Sequence, residues 1–138
     1  MKKAGQMTMH FGVYTTNDLP GCPEGGLLLG TDKPDKLDGK EGDDEIRGLG
    51  GSDHYLDGGP GSDAIYGGDG DDALHGFSGE DVLYGGDGND LLTDCYDEQR
   101  DKLYCGEGRD EYVAVKSDYV ASSCEKKLSP QRIFGGGA

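Results

Sequence analysis

Residues 58–90 repeat with a strict period of nine: GGPGSDAIY, GGDGDDALH, GFSGEDVLY, GGDGND. Each unit has Gly at its first and fourth positions, Asp at the sixth and a large aliphatic residue at the eighth. Glycine tolerates positive φ and has no Cβ, so the first half of each unit reads as a tight turn whose carbonyls can face inward. The residues after the Asp read as a very short strand, Ala64-Ile65-Tyr66 in the first unit and Val82-Leu83-Tyr84 in the third. The eighth-position side chain points to one side of that strand, and the seventh and ninth point to the other.

Carboxylates set regularly behind oxygen-rich turns suit a hard cation. Calcium takes about six to eight oxygen ligands, and a glycine- and aspartate-rich nonapeptide is the pattern of a calcium-binding parallel β-roll. The repeat resembles the repeats-in-toxin (hemolysin-type) calcium-binding family. That resemblance implies an all-β, right-handed parallel β-roll, a β-solenoid of about five coils with several calcium ions in its turns. Two units make one coil, alternate units stack about 4.8 Å apart, and each ion sits between stacked turns. Asp63 then lies over Asp81, and Asp72 over Asp90. The implied carboxylate ligands are Asp35, Asp44, Asp53, Asp63, Asp72, Asp81, Asp90, Asp101 and Asp110. The implied carbonyl ligands are those of Gly48, Gly58, Gly59, Gly61, Gly67, Gly68, Gly70, Gly76, Gly79, Gly85, Gly86 and Gly88.

The frame extends to both sides of the strong units. GCPEGGLLL, from Gly21, has Leu28 at the eighth position but Gly26 in place of Asp, so it can cap the roll without giving a carboxylate. GTDKPDKLD carries Asp35 and Leu37, and GKEGDDEIR carries Asp44 and Ile46. GLGGSDHYLD has one residue too many, which leaves Tyr55 and Leu56 competing for the core position. Beyond Thr93 the frame loosens. DCYDEQRDKLY keeps Asp101 and Leu103, CGEGRDEYV has Cys105 for the first Gly with Asp110 and Tyr112 in place, and AVKSDYVA keeps Asp118 and Val120. Cys124-Glu125 closes the pattern, and this end resembles the last coil of hemolysin-type repeats. We therefore expect a non-repeat arm over residues 1–20, with a cap strand near Phe11 to Tyr14, the roll over 21–125 and a flexible tail over 126–138. The expected core is Leu28, Leu37, Ile46, Ile65, Leu74, Leu83, Leu92 and Leu103.

Composition sets the physical problem. Only 33% of residues are hydrophobic, 27 are Gly and the net charge is −15, a balance that without the repeat would read as disorder. Self-repulsion opposes compaction, so the core can offset chain entropy only when cations neutralise the aspartates. No basic patch is available for nucleic acid, and no apolar run is long enough to span a membrane. Met1-Lys2-Lys3 is followed by no apolar h-region, so no signal peptide is expected. The chain reads as a piece of a longer secreted or cell-surface protein, and as a monomer.

Other chemistries fit less well. No window has the EF-hand spacing, and no Gly-Lys-Ser or Gly-Lys-Thr marks a phosphate loop. The repeat carboxylates are committed as ligands, so no enzyme is expected. His10, His54 and His75 share no metal spacing and read as isolated surface residues. The four Cys do not have zinc spacing. Cys105 and Cys124 are about one coil apart, within disulfide reach once coils stack, whereas Cys22 and Cys95 have no evident partner. Stacking also aligns the ninth positions Arg47, Tyr66, Tyr84 and Tyr104 on one outer face, with Asp38, Asp57, His75 and Thr93 on the other. Aromatic neighbours across strands stabilise sheets, and Tyr66, Tyr84 and Tyr104 also form a candidate face for a carbohydrate or protein partner.

Overall fold

The computed structural model describes residues 14–15, 26–94, 99–115 and 118–128. Most of the expected N-terminal arm, the tail beyond Leu128, and His10, Cys22 and Cys95 lie outside them. Thirteen strands follow in chain order: β1 (Tyr14–Thr15), β2 (Leu27–Leu29), β3 (Lys36–Asp38), β4 (Glu45–Arg47), β5 (Tyr55–Asp57), β6 (Ala64–Asp69), β7 (Ala73–His75), β8 (Val82–Asp87), β9 (Leu91–Asp94), β10 (Lys102–Tyr104), β11 (Glu111–Ala114), β12 (Tyr119–Val120) and β13 (Lys126–Lys127). Among the described residues there is no helix, and so none long and apolar enough to cross a membrane.

The strands divide between two sheets, ordered β1-β2-β4-β6-β8-β10-β12 and β13-β11-β9-β7-β5-β3. Alternate strands thus pair, and the chain changes sheet at every turn. This is a parallel β-solenoid of about five turns. Pairing is parallel throughout except at β1, which adds antiparallel to β2 through Tyr14↔Leu29 and Thr15↔Leu28. That strand covers one open edge, where unpaired backbone groups would otherwise invite another chain.

Register places like on like. Leu28, Ile46, Ile65, Leu83 and Leu103 form one inner column, and Leu37, Leu56, Leu74 and Leu92 form the facing one. All nine are buried. The ten-residue unit resolves in favour of Leu56. His54 is the inserted residue and stays exposed, while Tyr55 turns outward and donates its hydroxyl to Asp57. The lengthening between Asp94 and Asp101 does not disturb register either, since Tyr104 pairs with Tyr84. Strand pairing continues past Glu125: β13 joins β11 and Leu128 is buried against the end of the core.

The outer faces differ. On the first sheet Arg47 lies over Tyr66, 4.7 Å from its ring centre. Tyr66 and Tyr84 stack at 4.8 Å with parallel rings, Tyr84 and Tyr104 stack at 5.0 Å, and Tyr119 tilts against the end of the column. On the second sheet Asp38, Asp57, His75 and Thr93 line up in register, but Asp57 and Thr93 are buried. His75 packs between Tyr55 and Phe77 in a tilted aromatic group, and Lys36 sits over Tyr55. This histidine is therefore part of a packed surface layer, and burial lowers its pKa.

Candidate metal centres along the acidic ladders

The turns between the sheets explain why the repeat has the residues it has. At the fourth position the backbone adopts positive φ, as at Gly70 (109°), and a Cβ there would collide with the carbonyl of Gly51 in the neighbouring coil. The second position also takes positive φ, and a Cβ on Gly68 or Gly86 would meet the carbonyl of Leu49 or Gly68 in the preceding coil, yet three units place a side chain there. Lys40, Leu49 and Phe77 take that place with φ of 67°, 74° and 69°, a mild strain that the stacked coils hold in place.

Each sixth-position aspartate then uses its two oxygens differently. Oδ1 accepts the backbone N–H of the corresponding aspartate one coil earlier. Asp35 N–H donates to Asp53, Asp53 to Asp72, Asp72 to Asp90 and Asp90 to Asp110, all at 2.8 Å. The other edge repeats this from Asp44 to Asp63 (2.7 Å), Asp63 to Asp81 (2.8 Å), Asp81 to Asp101 (2.8 Å) and Asp101 to Asp118 (3.1 Å). Gly26, which stands where the first unit lacks its Asp, donates to Asp44 in the same way. Two ladders of stacked carboxylates result, one along each edge, with Asp63 against Asp81 and Asp72 against Asp90.

Oδ2 faces a small cradle above the first glycine of its own unit. A Cβ at Gly67 would lie 2.7 Å from Asp72 Oδ2 and 2.6 Å from the carbonyl oxygen of Gly85 in the next coil. At Gly85 the same point is 2.6 Å from Asp90 Oδ2 and 2.6 Å from the Cys105 carbonyl, and at Gly39 it is 2.6 Å from Asp44 Oδ2 and 2.7 Å from the Gly58 carbonyl. Carboxylate and carbonyl are both acceptors. Oδ2 of Asp53, Asp63, Asp72, Asp90 and Asp110 is buried and meets no hydrogen-bond donor. Burial, reinforced by neighbouring carboxylates, pushes Asp63 up to about 9, Asp90 to about 8, Asp53 to about 7 and Asp72 to about 6. Converging acceptors left without donors in a buried turn carry a large desolvation cost. A hard, oxygen-seeking cation removes it, so the residues present fit calcium.

The expected residues fall into groups. The carbonyls of Gly48, Gly58, Gly67 and Gly85 reach the cradles beside carboxylate oxygens of Asp35, Asp44, Asp53 and Asp72. Those of Gly61, Gly68 and Gly70 press instead on Gly79, Gly86 and Gly88 of the next coil, and the Gly86 carbonyl accepts the Glu107 N–H at 3.0 Å. The Gly88 carbonyl stacks on Gly108, Gly59 and Gly79 hold turn positions at φ of 82° and 110°, and Gly76 faces a different set of oxygens. The two end aspartates also differ from the rest. Oδ2 of Asp35 accepts the Thr31 N–H at 2.6 Å, and Oδ2 of Asp118 accepts the Val115 N–H at 2.7 Å. Two participants escaped the sequence pattern: the Cys105 carbonyl, because a cysteine hides a glycine's backbone role, and Asp94, because it stands where a glycine was expected. Asp94 is fully buried, and burial together with the charges of Asp101 and Asp81 pushes it up to about 10.

Cys105 and Cys124 are joined by a disulfide with Cα atoms 4.9 Å apart.

A two-sheet parallel roll with stacked acidic turns at both edges defines a class of calcium-binding repeat modules. Residues 28–56 and 57–92 match the model of the RTX calcium-binding nonapeptide repeat (4 copies), so this stretch of the chain carries that repeat. Comparison with curated proteins and with solved structures gave no match.

Proposed function

We propose that this chain is a calcium-dependent folding module of a secreted or cell-surface protein, binding several ions along its two edges and performing no catalysis. The observation that carries the reading is the set of buried Oδ2 atoms of Asp53, Asp63, Asp72, Asp90 and Asp110 with no donor, those of Asp53, Asp72 and Asp90 lying beside inward carbonyls. Bound calcium supplies the positive charge that lets these acceptors share one turn. The protein does the positioning. Oδ1 of each aspartate locks one coil to the next, which leaves Oδ2 aimed at the cradle, and the first glycine keeps the cradle open. Because the unfolded chain has no such arrangement, binding free energy becomes folding free energy. A compartment poor in calcium would keep the chain unfolded, and an exterior rich in it would fold the roll. The Cys105–Cys124 disulfide supports an oxidising destination.

Circular dichroism across a calcium titration tests this. In chelator at neutral pH the chain should be disordered, and β structure should appear cooperatively between roughly 0.1 and 1 mM calcium, the range of extracellular modules. Magnesium should substitute poorly, since it demands tight octahedral geometry. Protons should replace calcium in part. The buried carboxyls have folded pKa values raised far above the unfolded value, so without metal the penalty on the fold accumulates as pH rises from about 4. Chelated protein should hence show more β structure near pH 4 than near pH 8. An identical β spectrum with and without chelator at pH 8 would sink the proposal.

A second reading is an adhesin-like module in which Tyr66, Tyr84 and Tyr104 dock a sugar ring or a protein side chain. It is favoured by the stacked rings and by Tyr84, which is 37% exposed at the centre of the column.

A further inference from the structure

One point of the roll brings three carboxylates together where the repeat alone supplies two. Asp81 and Asp101 are a stacked sixth-position pair. Asp94 is not a sixth-position residue. It ends β9 in the place where the preceding units put their first glycine, one coil from Gly76, whose N–H donates to the Thr93 carbonyl at 3.1 Å. One oxygen from each of Asp81, Asp94 and Asp101 lies within 4.8 Å of the others, and all three side chains are buried. Asp94 is 0% exposed, no N–H or hydroxyl donor serves either of its oxygens, and the side chain within hydrogen-bonding reach is another carboxyl, that of Asp101. A Cβ on Gly76 would sit 2.8 Å from Asp81 Oδ2 and collide with Asp94 Oδ2, so this glycine holds open the space that the carboxylates face.

Three buried carboxyls at this separation cannot all ionise without strong mutual repulsion, and each has given up its hydration. The nearest cations in sequence, Arg100 and Lys102, are exposed. The arrangement becomes favourable when a multivalent cation occupies the shared space. Calcium affinity is tuned by the number of charged ligands and by site rigidity. A turn with three carboxylates should outbid the turns that offer two. The position adds to this. Asp81 precedes β8, Asp101 precedes β10 and Asp94 ends β9, so one ion here would tie neighbouring coils of one sheet to a strand of the other.

We propose that Asp81, Asp94 and Asp101 form a three-carboxylate calcium site that fills before the two-carboxylate turns and from which ordering of the roll spreads. The proposal rests on the calcium reading of the repeats. Isothermal titration of the full chain with calcium tests it, with Asp94→Gly and Asp94→Asn as variants. Glycine restores the residue that the preceding units have there, and asparagine keeps the shape while removing the charge. The wild type should take up one ion at a calcium concentration roughly tenfold or more below the others. Both variants should lose that early phase while keeping the later uptake and the calcium-induced β spectrum. Titrations unchanged by both substitutions would overturn this proposal alone and leave the repeat reading standing. Loss of calcium-induced folding in both variants at every concentration would also overturn it, because the remaining turns should still fold the roll. No uptake by the wild type at millimolar calcium would overturn the repeat reading and this proposal with it.

Discussion

At Asp53, Asp72 and Asp90 the coil edges repeat one contact, an aspartate Oδ1 on a backbone N–H and its Oδ2 turned towards a carbonyl without a donor. At the outermost rungs the same side chain is used differently. Thr31 N–H covers Oδ2 of Asp35, Val115 N–H covers Oδ2 of Asp118, and the last coil is fastened by the Cys105–Cys124 disulfide. Asp35 and Asp118 thus have Oδ2 served by a backbone N–H, whereas Oδ2 of Asp53, Asp72 and Asp90 in the middle has no donor. A roll built this way should have self-sufficient caps around a cation-dependent centre.

Substitution at the two kinds of rung gives the largest contrast. Asp72→Ala removes both the Oδ1 bond to Asp53 N–H and an Oδ2 aimed into a central turn. A hydrogen bond to a charged group contributes about 1.5–3 kcal/mol, and the ligand is lost as well. The calcium midpoint for folding, read by circular dichroism, should rise by roughly tenfold. Asp35→Ala should raise it far less, since Thr31 and not a cation already serves that carboxylate. Equal shifts would erase the distinction between cap and centre.

Much of this plan was legible in the sequence. A side-chain alternation of two inside a period of nine sends every eighth residue inward, and the columns of Leu and Ile follow from that. The stacking of Asp63 on Asp81 and of Tyr66 on Tyr84 follows from two units per coil. What the period could not reveal is what a departure from it touches. Tyr55 against Leu56 is decided by where His54 can be extruded, which depends on the neighbouring strands. Asp94 reads along the chain as the place where the repeat fails. Only across the coil is it seen to stand beside Asp81 and Asp101. Asp35 has the repeat's spacing but a different partner, because Thr31 occupies the turn before it.

The disulfide offers a smaller effect. It closes a loop across a sequence separation of 19 residues, and a loop of that size is worth about 3 kcal/mol in the chain-entropy view. Cys105→Ser should therefore lower stability at saturating calcium by up to that amount while moving the calcium midpoint less than Asp72→Ala. Hydrogen exchange locates the loss. Amides over residues 119–128 should lose protection first, and those of β6 to β9 should keep theirs. Uniform loss along the roll would mean that the last coil is not a separate cap.

The smallest effect on folding is expected on the outer face of the first sheet. Tyr66 and Tyr84 stack at 4.8 Å, but Tyr84 remains exposed and neither ring belongs to the inner columns. A stacked aromatic pair contributes about 0.5–1.5 kcal/mol beyond its buried area. Replacing both residues with Ser breaks two stacking contacts and the Arg47 contact on Tyr66, and leaves every aspartate and every buried leucine in place. The calcium midpoint should hardly move, and stability at saturating calcium should fall by roughly 1–3 kcal/mol. The rings on the second sheet, Tyr55 and Phe77 around His75, are tilted and form no such strip, so any partner that needs a flat ladder of rings should use the tyrosine side alone. If the column is a docking surface, binding in a panel of carbohydrates and candidate proteins should vanish in the double variant while folding persists. If folding collapses and no ligand is found for the wild type, the column is sheet packing, and the cation-dependent centre extends to its outer surface.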